Sequence, residues 1–339
     1  MKYNLLGNTG LKVSELCLGT MTFGGRGFWT AIGTQDQQTA DNLIRRAVEA
    51  GINFIDTANV YSEGLSEEIT GRAIRNLGLR RDDLVIATKV RGRMGEGPND
   101  VGLTRKHIFD QIDASLKRLQ LDYVDLYQIH SYDPLTPLEE TLDALNDLVR
   151  SGKVRYIGAS NLAAWQLMKA LSHSAHHRIA KFVSLQAYYT IAGRDLEREI
   201  IPLLKDQQTG LMVWSPLAGG LLSGKYSRAE EAKGDGRRAN FDFPPVNKER
   251  AFNIIDVLQE LAPQKNATVA QLALAWLLHQ PAVTSVIIGA NKIEQLEDNL
   301  KAPAVNFTEE ELKRLDEVSQ LPAEYPAWMF ARTYPDRLK

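Results

Sequence analysis

Ile52-Asn53-Phe54-Ile55-Asp56-Thr57-Ala58-Asn59-Val60-Tyr61 begins by alternating apolar and polar residues, then passes a carboxylate and ends in a phenol. The alternation predicts a short strand that stops at Asp56. Two later runs behave in the same way. Leu84-Val85-Ile86-Ala87-Thr88 leads into Lys89, and Tyr123-Val124-Asp125-Leu126-Tyr127-Gln128-Ile129 leads into His130. Three successive predicted strands therefore finish in Asp56 (with Tyr61 one loop-turn later), Lys89 and His130. In a parallel barrel all strand C-termini open on one face, so these four side chains are expected to converge there.

The rest of the chain supplies the remaining strands. They are expected over about 52–56, 84–89, 123–129, 154–158, 181–186, 210–214 and 284–288. Helices are expected over about 65–76, 105–119, 138–150, 162–171, 196–206, 247–262, 268–279 and 292–300. An earlier helix spans Gln35 to Ala50, with Leu43, Ile44, Ala47 and Val48 on one face and Gly51 as its stop. Leu16-Cys17-Leu18-Gly19-Thr20 reads as the first barrel strand, and the apolar runs flanking Gly7-Asn8-Thr9-Gly10 read as a hairpin before it. Such alternation implies a parallel sheet with helical crossovers, and about eight strands close an α/β TIM (β/α)8 barrel. A doubly wound sheet is the runner-up, but no Gly-x-Gly-x-x-Gly opens a helix after the first strand.

No repeat, low-complexity tract or linker interrupts the chain, so residues 1–339 read as one domain. Two stretches break the rhythm. Residues 215–246 are rich in Gly, Ser, Arg and Pro, and loops of this length are usually functional or mobile. A helix over about 308–319 precedes a tail holding Tyr325, Trp328, Phe330 and Tyr334, which either line a substrate pocket or pin the tail to the barrel.

Composition excludes some functions. Hydrophobic residues make up 44% and charged residues 24%, as in soluble globular enzymes. A net charge of −2 gives no pull toward nucleic acid or anionic membrane, and Arg45-Arg46 and Arg80-Arg81 are pairs rather than a basic stripe. The single cysteine, Cys17, cannot form an internal disulfide and reads as a buried apolar residue. With no signal-peptide core and no run of transmembrane length, a cytoplasmic location is expected. His173, His176 and His177 fall in a predicted polar helix-to-strand connection without carboxylate or cysteine at ligand spacing, so no metal is expected. Glu230-Glu231 and Glu309-Glu310-Glu311 read as solvated charge runs, the latter suited to a helix N-terminus.

The four converging groups suit one chemistry. Reducing a carbonyl needs hydride on carbon and a proton on oxygen, and a tyrosine of ordinary pKa ~10 is a donor that keeps its proton at neutral pH. Lys89 beside Tyr61 would stabilise phenolate and lower that pKa. Asp56 would pair with Lys89 and offset the cost of burying it. His130 would hydrogen-bond the substrate oxygen.

Several motifs follow one another in order over about residues 3–319. They are Gly7-Asn8-Thr9-Gly10-Leu11-Lys12-Val13-Ser14, Leu18-Gly19-Thr20, Asp56-Thr57-Ala58-x-x-Tyr61, Thr88-Lys89, Asp125-Leu126-Tyr127-x-x-His130 and Gly158-Ala159-Ser160-Asn161. Gln186, Trp214-Ser215-Pro216-Leu217 and Gly289-Ala290-x-x-x-x-Gln295-x-x-Asp298-Asn299 complete the series. Together they resemble the aldo-keto reductase superfamily. Trp214-Ser215-Pro216-Leu217 and Gly224-Lys225-Tyr226 are closest in style to its bacterial and potassium-channel β-subunit-like branch.

The resemblance implies an NADP-dependent oxidoreductase that reduces aldehydes or ketones, with Tyr61 as general acid and Asp56, Lys89 and His130 completing a catalytic tetrad. It implies that Ser160, Asn161 and Gln186 hold the nicotinamide carboxamide and that Trp214 stacks on the ring. Gly19, Thr20, Met21, Asp56, Ser215, Pro216, Leu217, Gly219 and Lys225 fall to the same cofactor, as do Gly289, Asn291, Gln295, Asp298 and Asn299. Aldose-reductase-like members carry a lysine and an arginine where this chain has Gly289 and Gln295, and those cations grip the 2′-phosphate of NADPH. Here Lys292, Arg237 and Arg238 are the candidate replacements; NADPH is favoured, with NADH possible. Phe23, Trp29, Tyr132 and Trp328 are expected to form an aromatic pocket for a small carbonyl substrate. The alternative is a cofactor-binding regulatory subunit with slow turnover, although a pure binder has no need of a proton donor. A metal-dependent barrel hydrolase lacks the His-x-His or carboxylate cluster it would require.

Overall fold

In each barrel strand alternate residues face opposite ways, and the apolar ones sort accordingly into two cores. The structure is a computed structural model that describes residues 1–226, 228, 238 and 242–337. A hairpin of β1 (Tyr3–Leu5) and β2 (Lys12–Ser14) leads into β3 (Leu16–Gly19), α1 (Gln37–Glu49), β4 (Phe54–Asp56) and α2 (Leu65–Asn76). Then come β5 (Val85–Val90), α3 (Arg105–Leu119), β6 (Val124–Ile129), α4 (Leu138–Arg150), β7 (Val154–Ser160), α5 (Ala164–His177) and β8 (Phe182–Tyr188). The second half contributes α6 (Ile200–Asp206), β9 (Gly210–Trp214), α7 (Lys248–Gln264), α8 (Val269–Leu278), β10 (Val283–Ile288) and α9 (Ile293–Asn299). Helices α10 (Glu309–Ser319) and α11 (Ala327–Arg337) follow.

Strands β3 to β10 close into a parallel barrel, β10 pairing with both β9 and β3. The expected TIM (β/α)8 architecture with its N-terminal hairpin is therefore the observed one. Outward-facing residues such as Ile55, Ile86, Tyr127 and Leu185 pack against the helices. Inward-facing Cys17, Phe54, Val85, Ala87, Leu126, Met212 and Ile287 fill the barrel interior, where the hairpin adds Leu6 and Val13. The hairpin lies across the N-terminal end: Asn4 Nδ2 donates to Thr284 O at 2.9 Å, and Gly7 abuts Val183 O and Gly210 N. The interior layer at the opposite end is polar, with Asp56, Lys89, Gln128 and Gln186 all buried. Register aligns them, since Lys89 pairs with Gln128, Gln128 with Gly158, and Ser160 with Gln186.

Helix starts follow side-chain capping. Asp36 accepts from Thr39 N at the head of α1, and Thr268/Gln271 and Thr308/Glu311 form capping boxes before α8 and α10. Glu309, Glu310 and Glu311 occupy the first turn of α10. Among the described residues no helix is long and apolar enough to cross a membrane. Cys17 is buried within β3.

Two local expectations are corrected. His173, His176 and His177 lie on α5 itself rather than in a connection, because Leu167, Ala170, Leu171 and Ser174 keep one buried face going until Arg178 turns left-handed at φ 54°. The tail is helical over Ala327–Arg337, its aromatic side chains pairing along the chain as Tyr325–Trp328 and Phe330–Tyr334. Glu230, Glu231 and Arg237 lie outside the described residues.

Candidate active site

Asp56 ends β4, Lys89 is the penultimate residue of β5 and His130 follows β6. Lys89 Nζ donates to Asp56 Oδ2 at 2.5 Å, to Thr57 O at 2.9 Å and to Tyr61 Oη at 3.2 Å. The ammonium is fully buried and all three of its hydrogens have an acceptor. Tyr61 opens a tight turn in which Ser62 and Glu63 hold φ of 49° and 56°, a costly left-handed pair for residues with side chains. Ser62 Oγ fastens that turn to the loop after β3 by accepting from Gly25 N and donating to Phe23 O, both at 2.9 Å. The phenol ring stands edge-on to His130 at 5.7 Å and to Trp29 at 5.2 Å.

Asp56 Oδ1 is occupied as well. Gln128 Nε2 and Gln186 Nε2 each donate to it at 2.9 Å, and Gln186 Nε2 also reaches Gln128 Oε1 at 3.3 Å. Gln128 was not among the residues singled out in the sequence. Its signal was a polar residue on the barrel-facing side of an otherwise apolar run, two positions before His130.

Electrostatics follow from this burial. Desolvation pushes the Tyr61 phenol above its ordinary value; Lys89 pulls it part of the way back, and Asp56 adds to the rise. The expected net lowering by Lys89 is thus corrected, because burial outweighs the ammonium. Burial opposes the charge on Lys89, yet Asp56 and Tyr61 overcome it and hold its pKa above the usual lysine value. His130 is lowered to about 3, first by burial and then by the charges of Lys89 and Arg91, so its imidazole is neutral at physiological pH.

That shift has a stability consequence. Between about pH 3 and about pH 6.5 the unfolded chain holds a proton on His130 that the folded chain does not, so its contribution is full above that window and lost as pH falls through it. His130→Gln removes this dependence. Denaturant titrations at about pH 5 and about pH 7 should show wild type losing up to about 1.4 kcal/mol per pH unit relative to the variant. Parallel pH curves would mean that His130 takes up its proton alike in the folded and unfolded chains.

Asp56, Tyr61 and His130 open into a cavity of about 820 Å³, with Lys89 buried behind them. Tyr61, His130, Phe28 and Trp29 line it, together with Gly19, Thr20, Met21, Asp56, Ser160, Asn161, Gln186 and Trp214. Ser215, Pro216, Leu217, Gly219 and Lys225 line it as well, as do Gly289, Asn291, Lys292, Gln295, Asp298 and Asn299 after β10. Gly219 and Gly220 adopt φ of 66° and 97°; a Cβ on Gly219 would lie 2.3 Å from Phe243 O, whereas the space beside Gly220 is open. Asp298 accepts from Thr268 Oγ1 at 2.8 Å and Gln271 Nε2 at 2.7 Å, and Gln295 Oε1 accepts from Asn291 N at 2.9 Å.

Trp214 Nε1 donates to Asn161 Oδ1 at 3.0 Å, while Asn161 Nδ2 donates to His130 O and Ser160 Oγ at 3.0 Å. The indole packs against Tyr188 at 5.2 Å and lies parallel to Phe243 at 5.8 Å. Phe28 and Phe243 were not named as site residues, and both line the cavity.

Four expected site residues are placed elsewhere. Arg238 is buried, and its guanidinium donates to Ala218 O at 2.7 Å and Pro244 O at 3.1 Å and pairs with Asp242, so its donors tie the loop. Phe23 belongs to the core between barrel and helices. Tyr132 packs on Trp165 at 6.2 Å, away from the cavity lining. Trp328 rides on α11, nearly half exposed, against Tyr325.

The sequence profile of the aldo/keto reductase family matches residues 15–320. The chain belongs to that family. An uncharacterized oxidoreductase of Bacillus subtilis is 40% identical over 326 residues, spanning 94% of this chain and 96% of its own. A probable voltage-gated potassium channel subunit beta of Arabidopsis thaliana is 39% identical over 308 residues, 89% of this chain and 91% of that one. A versiconal hemiacetal acetate reductase of Aspergillus parasiticus is 37% identical over 335 residues, with 94% and 96% coverage. Membership makes this aldo/keto reductase an oxidoreductase of a family whose general chemistry is carbonyl reduction, and aldo/keto reductases generally use nicotinamide cofactors. The donor set fits such a cofactor: the amides of Asn161 and Gln186 line the cavity, a flat indole bonded to Asn161 lines it too, and so does the unencumbered backbone of Gly220.

Proposed function

We propose that this aldo/keto reductase reduces aldehydes or ketones to alcohols with NADPH, using Tyr61 as proton donor. The observation that carries the reading is the Tyr61 hydroxyl held at 3.2 Å by a buried Lys89 whose charge Asp56 balances, at the mouth of a cavity that His130 also lines. When bound, the reduced nicotinamide supplies the hydride. Ser160, Asn161 and Gln186 would hold its carboxamide, and Trp214 would form a wall beside the ring. Neutral His130 donates a hydrogen bond to the carbonyl oxygen and orients it toward Tyr61 Oη. As negative charge develops on that oxygen, Tyr61 gives up its proton, and Lys89 stabilises the phenolate left behind. Aromatic Trp29, Phe28 and Phe243 favour small aromatic or apolar carbonyls, and the protein is expected in the cytoplasm as one domain over 1–339.

With Arg238 engaged in the loop, Lys292 is the remaining described candidate for the 2′-phosphate: it is exposed and lines the cavity next to Asn291. Lys292→Ala should weaken NADPH by about ten- to a hundredfold and NADH little, the size of one charge-assisted contact. Arg238→Met, acting through the loop, should weaken both alike. Equal losses of the two cofactors in Lys292→Ala would remove it as the phosphate grip.

The first test is carbonyl-dependent oxidation of NADPH and NADH across a panel of aldehydes and ketones. A second reading, a cofactor-binding regulatory subunit with slow turnover, is favoured by the likeness to the Arabidopsis protein. Tight cofactor binding without turnover on any carbonyl would replace the first reading with the second.

A further inference from the structure

Gln128 sits fully buried in the polar layer of the barrel, two residues before His130, and stands behind the cavity wall, bonded to two residues that line it. Its bonds leave little freedom. A carboxylate only accepts, so the two amide groups 2.9 Å from Asp56 Oδ1 must both present their NH₂ to it. Asp56 Oδ2 is engaged by Lys89 at 2.5 Å. The second hydrogen of Gln186 Nε2 is directed at Gln128 Oε1, 3.3 Å away. Both hydrogens of the Gln186 amide are therefore used inside the barrel, which leaves Oε1 as the polar atom that Gln186 turns to the cavity it lines.

We propose that Gln128 is a positioning residue: it holds the Asp56 carboxylate square to Lys89 and fixes the Gln186 amide so that an acceptor, not a donor, faces the cofactor. The assignment rests on the reductase reading above. Its physical content is a selection rule. An acceptor at Gln186 matches the NH₂ of a carboxamide and opposes a carboxylate, so the site distinguishes a nicotinamide from its acid. Without Gln128, the near-isosteric oxygen and nitrogen of Gln186 lose one of the two contacts that keep them from exchanging places, and Asp56 keeps one amide donor in place of two.

Two variants test this. Gln128→Leu keeps the volume and removes both contacts. It should lower kcat by about ten- to a hundredfold, the weight of one hydrogen bond to a charged group, with a smaller change in carbonyl KM. By direct titration it should also shrink the preference for NADP⁺ over its nicotinic acid analogue by about tenfold. Gln128→Glu is the conservative variant: as a protonated acid its O–H donates to Asp56 and its carbonyl accepts from Gln186, which reproduces the native pattern. The titratable group in contact with this position is Asp56, which is paired with Lys89, itself bonded to Tyr61; Cys17 of β3 feels the same Asp56 and Lys89 charges. The charge on Asp56 delays ionisation of a second carboxyl beside it, and once both are ionised they repel.

Activity of Gln128→Glu relative to wild type should therefore be restored at low pH and fall about tenfold or more between about pH 5 and about pH 8. A flat ratio for Gln128→Glu, or wild-type kcat and an unchanged amide-to-acid preference in Gln128→Leu, would overturn the assignment. If Gln128→Leu does not fold, the pH dependence of Gln128→Glu decides. If wild type itself turns over no carbonyl, the reductase reading fails, and the amide-to-acid binding ratio still decides the role of Gln128.

Discussion

Replacing Tyr61 with phenylalanine is expected to lower carbonyl reduction by about 10²- to 10⁴-fold in kcat, the range for loss of a general acid. Cofactor affinity should stay close to wild type. The separation follows from where the hydroxyl is: Tyr61 Oη bonds Lys89 Nζ, while the amides and indole proposed for the nicotinamide belong to other strands. The ring itself is kept, along with its edge contacts to Trp29 and His130, so the pocket should hold its shape. The variant also probes direction. A phenol raised above its ordinary value is protonated throughout the neutral range, which suits reduction; alcohol oxidation needs the phenolate and should climb with pH until that pKa is reached. Steady-state kinetics in both directions, with cofactor titration, measure all of this. Equal reduction by Tyr61→Phe would remove the residue as the acid.

Lys89→Met should damage both catalysis and folding. The buried Lys89–Asp56 pair satisfies every hydrogen of the ammonium, so removing one partner strands the other. Unfolding free energy is expected to drop by about 3–5 kcal/mol, the usual cost of an unpaired buried charge. The double variant Asp56→Asn/Lys89→Met, which leaves no charge, should recover much of that stability in denaturant titrations without recovering turnover. A single variant as stable as wild type would mean that the pair is less dry than its burial indicates.

The barrel was legible because its signal repeats. Eight runs of strand length alternate with amphipathic helices, and register then follows from closure. The placing of Asp56, Lys89 and His130 was legible because each stands at or beside a strand end, where a one-residue error moves it little. Tyr61 was legible through its motif rather than its geometry, since its position depends on a left-handed turn at Ser62 and Glu63 that no local preference announces. Less could be read where a side chain has a choice of partners. Arg238 resembles any phosphate-binding arginine until the carbonyls of Ala218 and Pro244 are seen to occupy it. Trp328 and Tyr132 looked like pocket walls by type, but type says nothing about which way a rim or tail residue turns. Gln128 was hidden by its place inside a strand, because a lone polar residue there has no meaning before its neighbours across the sheet are known.

The hairpin that closes the N-terminal end divides what the molecule can tolerate. Gly7, at φ 59°, would carry a Cβ only 2.2 Å from Val183 O, so at that point of contact the floor admits almost no variation. The mouth, by contrast, is built from loops whose lengths the barrel does not constrain. Change can accumulate at the mouth without disturbing the closure beneath it, so substrate range and thermal endurance are open to separate adjustment in one chain. A library confined to Phe28, Trp29 and Phe243 would explore the first while leaving the second alone.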